Sequence, residues 1–343
     1  MYMDKTTRVG VIGSGAWGTA LAIHAARSGH DTVLWAREPQ VVADINAHRE
    51  NRVYLPGFEI PGNLRVTNDM EACVRHAHLL LSVTPTPYVG QTMKGCIDWL
   101  TDDHIIVSCS KGIENENLET VNEILERVLP RRLHSQLAYL SGPSFATEVA
   151  LEHPTAVTVA SFMPRVGHEV QELLSSRRFR CYTTRDVVGV EMGGALKNVM
   201  AICTGAATGL GFGNNARAGL ITRGLGEISR MAVRKGANPL TLQGLAGMGD
   251  LVLTATSDMS RNFTVGKRLG AGETLDEIMG STVTVAEGVL TSRSAWRLAQ
   301  KLGVADQVPI IEAAYRVLWE GMDMGEALEG LMSRPLKDEW IPL

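Results

Sequence analysis

Along the first 186 positions apolar residues come in short continuous runs, and the stretches between them repeat apolar positions at helical spacing. The runs Val9–Ile12, Thr32–Trp35, Leu79–Val83, Ile105–Cys109, Leu137–Leu140 and Ala156–Ala160 predict strands, and Phe179–Thr183 predicts one more at the end of the series. A strand that is apolar on consecutive residues is covered on both faces, and strands separated by helix-length segments pair in parallel through crossovers. The pattern therefore predicts a doubly wound, mostly parallel α/β sheet over residues 1–186. After Asp186 the strand runs stop. Gly236, Gly303 and Gly321 fall where helices would end, Pro309 suits a first helical turn, and Thr274-Leu275-Asp276-Glu277 fits a capping box. Residues 187–343 are expected to form an all-α domain, entered near 184–190 through a helix that carries Lys197.

Composition narrows the function classes. With 45% apolar and 20% charged residues the chain has enough apolar surface for a sizeable core, which excludes bulk disorder. A net charge of −4 without blocks of like charge leaves no footprint for nucleic acid or an acidic membrane, so a few local cations must hold any anionic ligand. The five cysteines are scattered without a C-x-x-C pair, which argues against a disulfide framework and against a metal site. Residues 1–8 lack the apolar core and cleavage site of a signal peptide, and a cytoplasmic location is expected. The longest uncharged stretch, Asn198–Ala216, is broken by glycines and asparagines and reads as a buried helix running into a Gly-rich loop, so no integral membrane segment is predicted.

One motif points to a nucleotide. Val9–Ile12 is followed by Gly13-Ser14-Gly15-Ala16-Trp17-Gly18, a helical stretch Thr19–Ser28, a terminating Gly29 and the strand Thr32–Trp35. This places GxGxxG between a strand and a helix, where Gly13 makes the tight turn, Gly15 admits a pyrophosphate and Gly18 lets helix and strand pack. The helix N-terminus then faces the anion. With that motif the first block reads as a Rossmann-like NAD(P)-binding domain rather than a sheet with a merely structural turn. Arg37 stands 19 positions after Gly18, where an NAD-specific site usually has a carboxylate, and a guanidinium there can meet the 2′-phosphate of NADP(H). Glu38 beside it opposes that role, and a solvated arginine is the plainer alternative.

Four further clusters carry candidate chemistry: Ser110-Lys111-Gly112-Ile113 and Ser141-Gly142-Pro143-Ser144-Phe145-Ala146, each after a strand; Gly193-Gly194-Ala195-Leu196-Lys197-Asn198; and Gly247-Met248-Gly249-Asp250-Leu251 with Ser260-Arg261-Asn262. Hydride delivery to a ketone builds charge on oxygen, which an ammonium can stabilise and protonate if its setting is partly dry. The small and apolar residues around Lys197 suit that setting, whereas a lysine snorkelling from a helix is the bland reading. Asp250 and Thr254 lie one helical turn apart and would share a face, although Asp250 also suits a helix cap. Ser260 and Asn262 suit a cap equally. Arg261 does not, because a cation at a helix N-terminus opposes the dipole unless an anion is present.

At this point the sequence resembles the bacterial NAD(P)-dependent glycerol-3-phosphate dehydrogenases over nearly its whole length. The shared stretches are GxGxWGTALA (Gly13–Ala22), Tyr54-Leu55-Pro56, SKGI, GPSFA, the LKN of Leu196–Asn198, GDLVLT (Gly249–Thr254), SRN and VAEG (Val285–Gly288). Ala16 departs from a serine common in that family. The resemblance implies reversible reduction of dihydroxyacetone phosphate to sn-glycerol 3-phosphate for phospholipid synthesis, by a homodimer using NADP(H) or NAD(H). It implies Lys197 as proton donor and acceptor, with Lys111, Asp250 and Thr254 assisting. It places Lys111, Gly142, Ser144, Lys197, Asn198, Asp250, Ser260, Arg261 and Asn262 at the substrate. Gly13, Gly15, Ala16, Trp17, Gly18, Arg37, Tyr54, Lys111, Ala146, Arg261, Val285 and Glu287 are placed at the cofactor. Two other readings remain open: a hydroxy-acid, hydroxyacyl-CoA or ketopantoate oxidoreductase on a similar scaffold, and a non-catalytic NAD(P)H-sensing regulator, which would not need Lys111, Lys197 and Asp250 together.

Overall fold

The structure is a computed structural model that describes residues 6–281, 286–336 and 338–339. Its strands are β1 (Arg8–Ile12), β2 (Asp31–Trp35), β3 (Glu50–Asn51), β4 (Leu55–Glu59), β5 (Leu64–Thr67), β6 (Leu79–Ser82), β7 (Ile105–Ser108), β8 (Leu137–Ser141), β9 (Thr155–Ala160) and β10 (Phe179–Thr184). Eight of them form one sheet in the order β10-β9-β8-β7-β6-β1-β2-β5, and β3 pairs with β4 in a separate antiparallel ribbon. Every neighbouring pair in the large sheet is parallel except β8 with β9. The central strands β6 and β7 are buried at every residue, as expected of strands covered on both faces. From β1 the chain winds outward through β2 to β5 and then returns to β6 on the other side of β1. The carboxyl edge between β1 and β6 is therefore the topological switch point, the usual ligand crevice of such sheets.

The apolar-run pattern did not disclose β3, β4 or β5. In β5 buried Leu64 and Val66 alternate with exposed Arg65 and half-buried Thr67, as in a strand with one face on the core and the other toward solvent. A search for continuous apolar runs passes over such a strand.

The chain divides into two compact units, residues 1–111 with 121–187 and residues 112–120 with 188–343. The first is built on the sheet, with a core running from Val9, Leu21 and Leu34 to Val157, Val170 and Phe179. Residues 112–120, which the pattern assigned to the first block, pack with the helical unit instead. There the Ser294 hydroxyl donates to the Ile113 carbonyl at 3.0 Å, and Arg297 donates to the Asn115 carbonyl at 2.6 Å. The helical unit centres on the helix Val187–Gly209. It is the one described helix long and apolar enough to cross a membrane, and 89% of its apolar window is buried inside the protein. The Thr274–Glu277 capping box forms, and Pro309 opens the helix Pro309–Trp319.

That last helix is capped from outside. Pro309 has no N–H, so the first orphan donors are Ile310 and Ile311, and both are taken by the fully buried carboxylate of Glu227 at 2.9–3.1 Å. Burial pushes the Glu227 carboxyl up from 4.5 to about 7, against the pull of those N–H groups and of Arg230 and Arg223. A raised folded value means that the folded state keeps a proton which the unfolded chain releases. This contribution is thus complete below pH 4.5 and is lost as pH rises through 7. The expected loss is about 3 kcal/mol across that window. Urea unfolding at a series of pH values should show it as a downward slope in the wild type that Glu227→Gln, which cannot titrate, lacks. Parallel slopes would show that Glu227 is ionised in both states.

Candidate active site

In the sheet unit, Gly13 to Gly18 leave β1 at the switch point and enter the helix Ala16–Arg27. Gly13 has φ +117°, a region that side chains rarely adopt, and a Cβ on it would lie 2.7 Å from the Val83 carbonyl oxygen. A Cβ on Gly18 would sit 1.8 Å from the Gly13 oxygen, so helix and strand pack there only because both residues are glycine. Gly15 differs: its φ is ordinary at −60°, and a Cβ would meet nothing within 4 Å. Two glycines close the turn, and the middle one keeps open space beside the helix N-terminus. Gly15 stands at the N-cap and Ala16 at the first helical position, with no side-chain cap, so the first-turn N–H groups face that space. This arrangement fits a dinucleotide pyrophosphate. Trp17 packs on the core, and its indole N–H is buried with no hydrogen-bond partner among the described residues.

At the end of β2, Arg37 is exposed, and its Nε and a terminal nitrogen donate to Glu38 Oε1 at 2.9 and 2.7 Å. The opposition between these neighbours thus takes the form of an ion pair. Tyr54 is partly buried against the same core, and its N–H donates to the side-chain oxygen of buried Asn51 at 3.1 Å. Lys111 follows β7 and donates from Nζ to the Gly142 carbonyl at 3.2 Å; the Ser144 hydroxyl donates to that same oxygen at 3.0 Å. The SKGI and GPSFA loops are thereby joined, while Ala146 begins a short helix.

In the helical unit, Lys197 is 7% exposed and Asp250 1%. Lys197 Nζ donates to Asp250 Oδ1 at 2.5 Å and to Thr254 Oγ1 at 2.9 Å. The Thr254 hydroxyl spends its own proton on the Asp250 carbonyl at 2.7 Å, so toward Lys197 it can only accept. The Lys197 and Asp250 backbones reach this register because position 193 is glycine: a Cβ there would lie 2.6 Å from the Ala246 oxygen. Ala246 belongs to the π-turn Leu245–Gly249 that feeds the helix Asp250–Thr256. Gly249, not Asp250, is the cap residue of that helix. The carboxylate meets Lys197 from the first turn of that helix, where an acidic residue also suits the helix dipole.

Ser260 caps the helix Arg261–Gly270 by accepting the Phe263 N–H at 3.2 Å. Asn262 is buried, and its side-chain oxygen accepts the Gly288 N–H at 2.9 Å. A Cβ on Gly288 would lie 2.6 Å from the Asn198 oxygen. The LKN, SRN and VAEG stretches thus converge, with Glu287 opening the next helix. Val285 lies outside the described residues. Arg261 is exposed at its helix N-terminus with no hydrogen bond or ion pair among the described residues. The described residues include no group of three His, Cys, Asp or Glu that could hold a metal ion.

A doubly wound sheet with GxGxxG at its switch point, and a helical unit holding a buried lysine, define an NAD(P)-dependent oxidoreductase of the CH–OH class. Residues 8–166 match the family described as NAD-dependent glycerol-3-phosphate dehydrogenase N-terminus, and residues 186–329 match its C-terminus. The chain is 50% identical over 334 residues to a glycerol-3-phosphate dehydrogenase [NAD(P)+] of Citrifermentans bemidjiense, covering 97% of this chain and 99% of the relative. It is 49% identical over 332 residues to that of Myxococcus xanthus, covering 97% and 98%. The crystal structure of glycerol-3-phosphate dehydrogenase from Coxiella burnetii superposes with a TM-score of 0.90 at 35% identity, covering 96% of this chain and 99% of that one. The chain belongs to the NAD-dependent glycerol-3-phosphate dehydrogenase family. A ketopantoate reductase from Ralstonia eutropha, at TM-score 0.58 and 15% identity, shares the fold alone.

Proposed function

We propose that the protein interconverts dihydroxyacetone phosphate and sn-glycerol 3-phosphate with NADPH or NADH. The observation that carries this reading is the buried Lys197, whose Nζ is held by Asp250 and Thr254. Bound dihydronicotinamide supplies the hydride. Lys197 protonates the ketone oxygen as charge develops on it and takes that proton back in the reverse direction. Asp250 and Thr254 aim the ammonium. Arg261 and the first turn of its helix, capped by Ser260, take the substrate phosphate. Asn262 and Asn198 shape the wall beside it. Gly142 and Ser144, tied to Lys111, position the substrate carbonyl. Gly13, Gly15, Ala16, Trp17 and Gly18 hold the pyrophosphate, Tyr54 and Arg37 the adenosine end, and Lys111, Ala146, Val285 and Glu287 the nicotinamide end. The same reading makes the protein a cytoplasmic homodimer whose product feeds phospholipid synthesis.

Cofactor choice follows from Arg37. A phosphate–guanidinium contact contributes ~1.5–3 kcal/mol when well formed. Here the guanidinium must share or leave Glu38, and it is exposed, so NADPH should be preferred only modestly. The test is oxidation of NADPH and of NADH, in parallel, with dihydroxyacetone phosphate. Turnover with both, NADPH favoured, is expected; no turnover with either overturns the assignment. Arg37→Ala should lower kcat/KM for NADPH more than for NADH, and added salt should erode the preference. Equal losses would leave Arg37 stacking on adenine without discriminating.

A further inference from the structure

We infer that Asn51 is a positioning residue that fixes the polarity of the Gly-rich loop, holding the Ser14 carbonyl inward so that the Gly15 N–H faces the cofactor pyrophosphate. The inference rests on the reading that this loop binds the pyrophosphate.

Asn51 lies on β3, outside the large sheet, and is fully buried. Its Nδ2 donates to the Ser14 carbonyl at 2.8 Å and to Thr19 Oγ1 at 2.8 Å. The Thr19 hydroxyl in turn donates to that same Ser14 oxygen at 3.1 Å. The amide orientation is set by chemistry, because a carbonyl can only accept and the opposite end of the amide, Oδ1, accepts the Tyr54 N–H. Each proton in the triangle of Asn51, Thr19 and Ser14 has an acceptor, and Ser14 and Thr19 are buried with it.

The consequence passes through peptide geometry. In a trans peptide the C=O of one residue and the N–H of the next point in opposite directions. Two donors that pull the Ser14 oxygen inward therefore turn the Gly15 N–H the opposite way, at a residue whose own Cβ position has nothing within 4 Å. The Ser14 carbonyl precedes the helix ladder, in which the Gly15 oxygen accepts the Thr19 N–H at 2.9 Å. Its orientation is thus set by these side chains. Were the Ser14–Gly15 peptide to turn over, a carbonyl oxygen would face the pyrophosphate in place of a donor, and the loop would repel the anion it is shaped to receive.

The test measures dissociation constants for NADPH and for adenosine 2′-monophosphate, which lacks the pyrophosphate, alongside thermal midpoints. Asn51→Ala should weaken NADPH on the order of tenfold, the worth of one well-placed hydrogen bond. Asn51→Asp, which sets a carboxylate oxygen against the Ser14 carbonyl, should weaken it further. Adenosine 2′-monophosphate should change by less than about threefold in both. Thr19→Ser should retain wild-type affinity, and Thr19→Val should lose part of it. Unchanged NADPH affinity in Asn51→Ala, equal losses for the two ligands, or loss of the folded state in both Asn51→Ala and Thr19→Val would assign Asn51 to the core and overturn the inference. Gly15→Ala separates the premise: its methyl group enters open space, so the fold should stand while NADPH weakens. If NADPH binding survives Gly15→Ala, the loop reading has failed; if only Asn51→Ala leaves binding intact, the inference alone has failed.

Discussion

Replacing Lys197 by methionine is expected to leave NADPH binding intact and to lower kcat by on the order of 10²–10⁴, the range for loss of a positioned acid–base group. Methionine keeps the length and apolar stem of the side chain but offers no proton. The substitution also takes the Lys197 Nζ, which donates at 2.5 Å, away from the Asp250 carboxylate, which is 1% exposed. Removing one member of a buried ion pair costs ~3–5 kcal/mol, so the thermal midpoint should fall as well. A second variant separates the two effects. Asp250→Asn in the methionine background removes the buried carboxylate charge and should recover much of the midpoint while kcat stays low. Single-turnover rates and thermal melts on the same preparations give both quantities. A Lys197→Met enzyme within about threefold of wild type would return this lysine to the role of a core ion pair.

Arg261→Ala is expected to lower kcat/KM for dihydroxyacetone phosphate by on the order of 10²–10⁴, because charge-assisted contacts to a phosphate are worth ~1.5–3 kcal/mol each and a guanidinium can make two. The wild type should accordingly be poor with unphosphorylated dihydroxyacetone and glycerol, since binding energy at the phosphate is remote from the reacting carbon. The variant should lose most of that discrimination. Stability should move the other way. Arg261 is exposed at a helix N-terminus, where a cation opposes the macrodipole by ~0.3–1 kcal/mol, so the alanine variant should melt no lower than wild type. Equal losses on the phosphorylated and unphosphorylated ketones, or a clear drop in the midpoint, would make Arg261 a structural residue.

Several features that place these groups were legible in the chain. Continuous apolar runs marked the central strands because both faces of a parallel sheet are covered, and the residue types at Gly13–Gly18 stated their own geometry. Lys197 stood out as a cation whose neighbours Gly193, Gly194, Ala195, Val199 and Met200 are small or apolar. The edge strand β5 was missed because its burial is one-sided, and residues 112–120 gave no sign that they pack with the helical unit. Asn51 carried no signal either: it lies 37 residues from Ser14, and a buried asparagine looks like any polar residue on a ribbon until its partners are seen.

What the sequence by itself determined is what depends on residue type and local spacing: the periodicities that separate sheet from helices, the glycines that permit a tight turn, and the lysine and arginine able to meet an oxyanion and a phosphate. Tertiary structure decided which groups share a proton or a charge. Lys197 meets Asp250 across 53 positions, Glu227 caps a helix 83 positions away, and Asn51 reaches back to hold the Ser14 carbonyl. These pairings arise because buried donors and acceptors must be satisfied by whatever packing brings within about 3 Å, a condition on the folded chain that no local pattern of residues encodes.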